Sequence, residues 1–167
     1  MNDLRLEAAR KRLAESRDQE DAIEGLREIV ANFLGSEEFG LFTVDRRSGI
    51  FRASWSFGIE LDHYDLLLAL GDTGVQRMMR GEYLIEHPRH DRGILSGTGA
   101  RVQAFVPIRS NGQTVAVLAL LRLLPQKLAF DRSDLELFKL LSDEAAKPLF
   151  SSSTRTKSAA EGSGMRA

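Results

Sequence analysis

Cysteine is absent from this chain of 167 residues. Its absence excludes disulfides, thiolate nucleophiles, zinc–thiolate sites and thioether-linked chromophores. Net charge is nearly absent too, at -1, so no global basic field exists to hold nucleic acid or an anionic membrane surface. No apolar run approaches the ~18 residues of a membrane span. The start, Met-Asn-Asp-Leu-Arg-Leu-Glu, has no apolar signal core, so the expectation is a cytoplasmic protein bound neither to membrane nor to nucleic acid. No Ser-His-Asp or paired-carboxylate arrangement stands out. Gly71-x-x-Gly74 is not followed by the Lys-Ser/Thr of a phosphate loop. What remains is a soluble composition, 43% hydrophobic and 28% charged, at the size of one domain with a real core.

The centre of the pattern is Arg101 to Leu123. Two apolar, β-branched runs flank Asn111-Gly112, whose residue types favour the positive φ angles of a two-residue hairpin turn. A regular ladder from that turn pairs Arg109 with Thr114, Ile108 with Val115, Val106 with Val117 and Ala104 with Ala119. One face then carries Val102, Ala104, Val106 and Ile108 against Val115, Val117, Ala119 and Leu121. The other carries Arg101, Gln103, Phe105 and Pro107 against Ala116, Leu118 and Leu120. Both faces are mostly apolar, so the hairpin belongs in a sheet covered on both sides. The face holding Arg101, Gln103 and Phe105 is the expected ligand floor.

Residues 3–34 have helical spacing. Through residue 20 the segment is a charged arm with only Leu6, Ala9 and Leu13 on its apolar line, suited either to solvent or to one strand of a dimer bundle. From Asp21 a wide stripe of Ile23, Leu26, Ile29, Val30, Phe33 and Leu34 marks a core helix, capped by Gly35. Phe39–Asp45 and Ile50–Trp55 predict a second hairpin. Short helices are predicted over 62–70 and 75–80, around a turn at 71–74 and ended by Gly81. Residues 82–87 predict a strand, and 88–100 a glycine-rich loop. Asp131, with Asp134 three residues on, is a variant capping box for a final helix whose stripe is Leu135, Phe138, Leu141, Ala145 and Leu149. Residues 151–167 have the composition of a disordered tail. Terminal helices around a meander of hairpins predict an α+β fold.

In that order, Phe39-Gly40-Leu41-Phe42-Thr43-Val44-Asp45, Trp55-Ser56-Phe57-Gly58, Gly71-Asp72-Thr73-Gly74-Val75 with Gly81-Glu82-Tyr83-Leu84-Ile85, and Val106-Pro107-Ile108 through Asn111-Gly112 to Asp134-Leu135 and Ala145-Ala146 resemble a GAF domain, a sensor fold related to PAS. The resemblance covers residues 21–150. It implies a central antiparallel sheet of order 2-1-5-4-3, terminal helices on one face, and a pocket on the other under Phe57 to Ala100. The enzyme activity known on this fold reduces free methionine sulfoxide and needs cysteines, and bilin attachment needs one as well. This chain has none. The signature of the cyclic-nucleotide-binding members is not evident.

Candidate ligand residues are therefore Arg101, Gln103, Phe105, Trp55, Phe57, Tyr64 and Arg92. A guanidinium fork at Arg101 would hold an oxyanion, and Trp55 and Phe57 would stack on a planar group. Arg77, Arg80 and Arg89 lie nearby, with Glu82, Glu86 and Asp91 as ready ion-pair partners. His63, His87 and His90 are weak metal or haem ligands by spacing, with solvated loop histidines as the ordinary alternative. No cofactor is expected. The expectation is a stand-alone, non-enzymatic regulatory domain that senses a small molecule or binds an unidentified protein partner. It would dimerise through Leu6, Leu13, Ile23, Val30 and the C-terminal helix. The alternatives are a ligand-free dimeric adaptor and a haem or metal sensor.

Overall fold

A computed structural model of the chain describes residues 4–45, 47–48, 50–60, 63–85, 102–124, 127 and 129–151. The order is α1 (Leu4–Ala14), α2 (Gln19–Ile29) running into a wider π-type turn (Val30–Leu34), β1 (Phe39–Asp45), β2 (Ile50–Phe57), α3 (His63–Met79), β3 (Leu84–Ile85), β4 (Ala104–Ser110), β5 (Gln113–Leu120) and α4 (Arg132–Glu144), then a second π-type turn (Lys147–Ser151). The strands form one sheet of order 2-1-5-4-3, every neighbour antiparallel. Fold class and strand order are as the sequence implied. The tail from 152 onward lies outside the described residues.

The central hairpin turns at Asn111 (φ 52) and Gly112 (φ 77), the left-handed pair the dipeptide favours. Its register departs from expectation one step beyond the turn. Arg109 does face Thr114, but Ile108 faces Ala116, Val106 faces Leu118 and Ala104 faces Leu120. Val115 is an extra residue on β5. One extra residue moves every following side chain to the other face. Ala104, Val106 and Ile108 therefore share the terminal-helix side with Ala116, Leu118 and Leu120. Val102 and Phe105 share the opposite side with Val117, Ala119 and Leu121. A second bulge at Ser54 places Trp55 opposite Leu41 but Ala53 opposite Phe42. Phe51 and Ala53 thus belong to one face, and Trp55 and Phe57 to the other.

The single helix expected over 3–34 is two helices. Asp18 is extended and caps α2, accepting from the Asp21 amide at 2.8 Å, which is what an Asp at that position does. The break turns α1 back onto the body, where Ala9 and Leu13 are buried. Arg12 clamps the corner, bonding Asp21 at 3.0 Å and Glu28 at 2.7 Å. Between those two carboxylates Arg12 lies across Gly25, where a Cβ would stand 3.1 Å from its side chain. Leu13, Ile23 and Val30 are buried in this chain's own core and Leu6 packs against it. In this conformation they do not form an open dimer seam, because the break at 15–18 closes the arm on its own domain.

α4 opens with the expected capping box, Asp131 and Asp134 each accepting the other's amide. Asp134 is fully buried; Lys127 donates to it at 2.7 Å and Arg5 of α1 stands 3.9 Å away. The two short helices expected around 71–74 meet at Gly71, whose backbone is not helical (φ 68, ψ 174); together they make up α3, which stops before Gly81 (φ 84).

Candidate functional site

α3 lies across the sheet face opposite the terminal helices and buries a second apolar layer against it, including Phe42, Phe51, Phe105, Val102, Val117 and Met78. At the C-terminal end, Thr114 donates to the Met78 carbonyl at 2.6 Å. Arg109 donates to the Arg80 carbonyl at 3.0 Å and also to that of Gly112. Any side chain at Gly81 would collide with Arg109, and its φ also favours glycine. These bonds satisfy carbonyls that a helix end leaves open. In mid-helix the chain bends at Gly71, where an added Cβ would meet no described neighbour within 4 Å. The backbone angle itself requires glycine there, since that φ/ψ region is essentially closed to other residues.

The residues expected to meet a ligand separate on this frame. Phe105 does face α3, but it is completely buried and is core rather than an open floor. Gln103 is half-buried, with its amide bonded to the Leu120 carbonyl at 2.6 Å. Tyr64 and His63 lie in α3, their side chains outside the described ones, and Arg92, Arg101, His87 and His90 lie outside the described residues. Trp55 and Phe57 are on the other side of the sheet. Phe57 stacks on Phe39 with ring centroids 4.7 Å apart, and the Arg27 guanidinium sits 5.9 Å from its ring. The bulge at Ser54 is the reason: alternation without it would have kept both aromatics with Phe51.

Arg77 and Arg80, candidates for holding an anion, are paired within the chain. They bond Glu82 at 3.3 and 2.8 Å. The bond from Arg80, foremost, holds the Glu82 carboxyl below its usual range; desolvation opposes it, and the charge of Arg80 and then the bond from Arg77 add to the lowering. Among the described residues, no group of three His, Asp or Glu is placed to hold a metal. No helix among them is long and apolar enough to cross a membrane.

Two clefts on the terminal-helix side had no counterpart in the sequence expectations. One of about 360 Å³ lies between the end of α1 and the end of α4, lined by Arg10, Leu13, Asp143, Glu144 and Pro148. Arg10 spans it to Glu144 at 3.2 Å. The other, about 500 Å³, runs along α4 beside the sheet edge, between Gly81, Tyr83 and Pro107 and the helix residues Leu135, Lys139 and Asp143. The Tyr83 ring meets Phe138 edge-on at 5.6 Å and remains partly exposed.

A family model described as a GAF domain matches residues 16–147. Among solved structures, the chain is similar to the GAF domain of an Acinetobacter phosphoenolpyruvate-protein phosphotransferase, at 19% identity and TM-score 0.64, covering 89% of this chain and 94% of that one. It is similar to the GAF domain of the corresponding Coxiella burnetii protein at 18% identity and TM-score 0.61, covering 93% and 95%. It is also similar to a free methionine-R-sulfoxide reductase of Neisseria meningitidis, solved with its substrate, at 22% identity and TM-score 0.58, covering 91% and 93%. No curated protein matches the chain.

Proposed function

Because this chain belongs to the GAF domain family, whose members are generally regulatory sensor or signalling domains, we propose that it is a non-enzymatic sensor that takes a small molecule at the α3 face of the sheet and acts as a homodimer. The supporting observation is the break inside α3. The last turn of α3 is bonded to the β4–β5 hairpin through Thr114 and Arg109, while Gly71 interrupts the helix at its middle. A ligand entering between the sheet and the first half of α3 would bias the bend at Gly71. That half can change its angle while the second half stays in register, which is a population shift between two arrangements of one element. The layer beneath is apolar, so the ligand is an organic molecule with an apolar body. The reductase among the structural relatives is an enzyme, but the chemistry of that activity is attributed to cysteines, and this chain has none.

Native mass spectrometry of gently purified protein tests this reading. The expected result is a dimer carrying an added small-molecule mass. A ligand-free mass, with no thermal stabilisation by any compound of a metabolite panel, would refute the sensor reading.

A second reading has its own observation. Phe42, Phe105, Met78, Val102 and Val117 are each fully buried in the layer under α3, as in a domain whose pocket is filled by its own side chains. On that reading the chain is an adaptor, and its partner surface is the feature to find.

A further inference from the structure

The charges on the outer face of α4 are placed the wrong way round for a helix standing alone. Arg132 is in the first turn and Asp143 in the last, although the helix dipole favours acids at the start and bases at the end. The spacing Arg132, Glu136, Lys139, Asp143 is i, i+4, i+7, i+11, which forms one narrow stripe. Each base precedes its acid at i, i+4, the weaker orientation for such pairs. All four side chains are exposed. None forms an ion pair with another described residue, in contrast to the arginines of α1.

The order is nevertheless symmetric. Residues 132 and 143 are equidistant from the midpoint between Leu137 and Phe138, and so are 136 and 139. Arg132 and Asp143 each lie about 8 Å along the axis from that midpoint. Reversing the helix therefore sets base against acid at every position of the stripe.

We propose that this stripe is the seam of a homodimer in which two copies of α4 pack antiparallel about a two-fold axis. Arg132 then meets Asp143 of the second copy, and Glu136 meets its Lys139, each contact occurring twice by symmetry. The inference rests on the homodimer part of the reading above and assigns its surface. The neighbouring antiparallel helix also turns the dipole mismatch into a favourable placement, since each Arg132 lies beside the C-terminal end of the other helix. Exposed ion pairs alone bind weakly. The apolar contribution comes from the groove beside the stripe, with Tyr83, Pro107 and Leu135 in its walls. Tyr83 and Ile85 are exposed along the same edge of the sheet, and the symmetric arrangement presents this edge twice. A parallel pairing would set each charge against its own copy and is repulsive throughout.

The experiment is sedimentation equilibrium of the full chain over a concentration series at low salt, with E136K, K139E, their equimolar mixture and the double variant E136K/K139E. The wild type and the double variant are expected to dimerise. Each single variant alone is expected to self-associate at least about tenfold more weakly, since two symmetric attractions become repulsions. The mixture is expected to form a heterodimer, because one chain then carries only bases at the centre of the stripe and the other only acids. A dimeric wild type with unaffected single variants would overturn the seam and leave the homodimer reading intact. Weakened single variants without rescue on mixing would overturn the antiparallel register. A monomeric wild type would remove both the seam and the homodimer, while the small-molecule reading stays with the native mass spectrum.

Discussion

Asp134→Asn should cost about 2–3 kcal/mol of folding stability. The side chain is completely shielded from solvent. It accepts the Asp131 amide at 2.7 Å and the Lys127 ammonium at 2.7 Å, with Arg5 at 3.9 Å. An asparagine keeps a carbonyl oxygen for the amide but loses the charge that two cations face and that the start of α4 favours. Breaking one side of a fully buried ion pair costs about 3–5 kcal/mol. Lys127 is 16% exposed and recovers part of its hydration, which brings the expected cost to the bottom of that range or just below it. The assay is urea unfolding followed by far-UV circular dichroism. With a slope of about 1–3 kcal/mol/M, the midpoint should fall by about 0.7–3 M with the slope unchanged. Lys127→Met should cost less, because Asp134 keeps its amide and Arg5, and the double variant should show a coupling of at least about 1 kcal/mol. A midpoint for Asp134→Asn within about 0.2 M of wild type, equivalent to at most about 0.6 kcal/mol, would refute the view that this carboxylate ties α1, the segment before α4 and α4 together.

Phe105→Ala should destabilise the fold by about 3–5 kcal/mol in the same assay, because the ring is wholly buried; a near-neutral result would return Phe105 to an open pocket floor. Gly25→Ala, which at an ordinary helix position adds up to about 1 kcal/mol, should add nothing here, because the Arg12 side chain 3.1 Å away must shift within its pair of ion pairs to make room; a raised urea midpoint would contradict this. Asp21 is held below its ordinary range by the Arg17 amide first and then by Arg12. Its contribution is therefore present above the unfolded value near pH ~4 and is lost as pH falls through the lower folded value. Melting temperatures from pH 5 downward should fall less steeply in Asp21→Asn than in wild type, and identical acid limbs would show that the Arg12 corner contributes no pH-dependent stability.

The legible parts of the fold were those whose cause is local in the chain. Asn111-Gly112 specifies a turn through its own φ angles. Gly35 ends its helix in the left-handed conformation, and Asp131 with Asp134 caps α4 through bonds three residues apart. With these stops in place, the apolar runs between them imply a sheet between two layers, and the α+β class follows. The charge order of α4 was equally present in the chain, but the cleft beside it needed Tyr83 and Pro107, which arrive from another part of the sequence.

The errors have a common physical origin. Sequence periodicity assigns faces by counting, and a β-bulge changes the count by one without any required residue type. Val115 and Ser54 are ordinary strand residues, yet each shifts its ladder, and Trp55 and Phe57 consequently pack on the terminal-helix side. Likewise the polar run 15–18 reads as helix by local pattern. It breaks because folding α1 back buries Ala9 and Leu13 and gives Arg12 two carboxylates, gains that exist only after the chain has closed. Turns, caps and fold class are determined by the sequence itself, because their energies are exchanged between residues a few positions apart. Which face an aromatic occupies, and which charges are buried together, were decided only by the tertiary structure, because those energies depend on partners brought near by the register of the whole sheet.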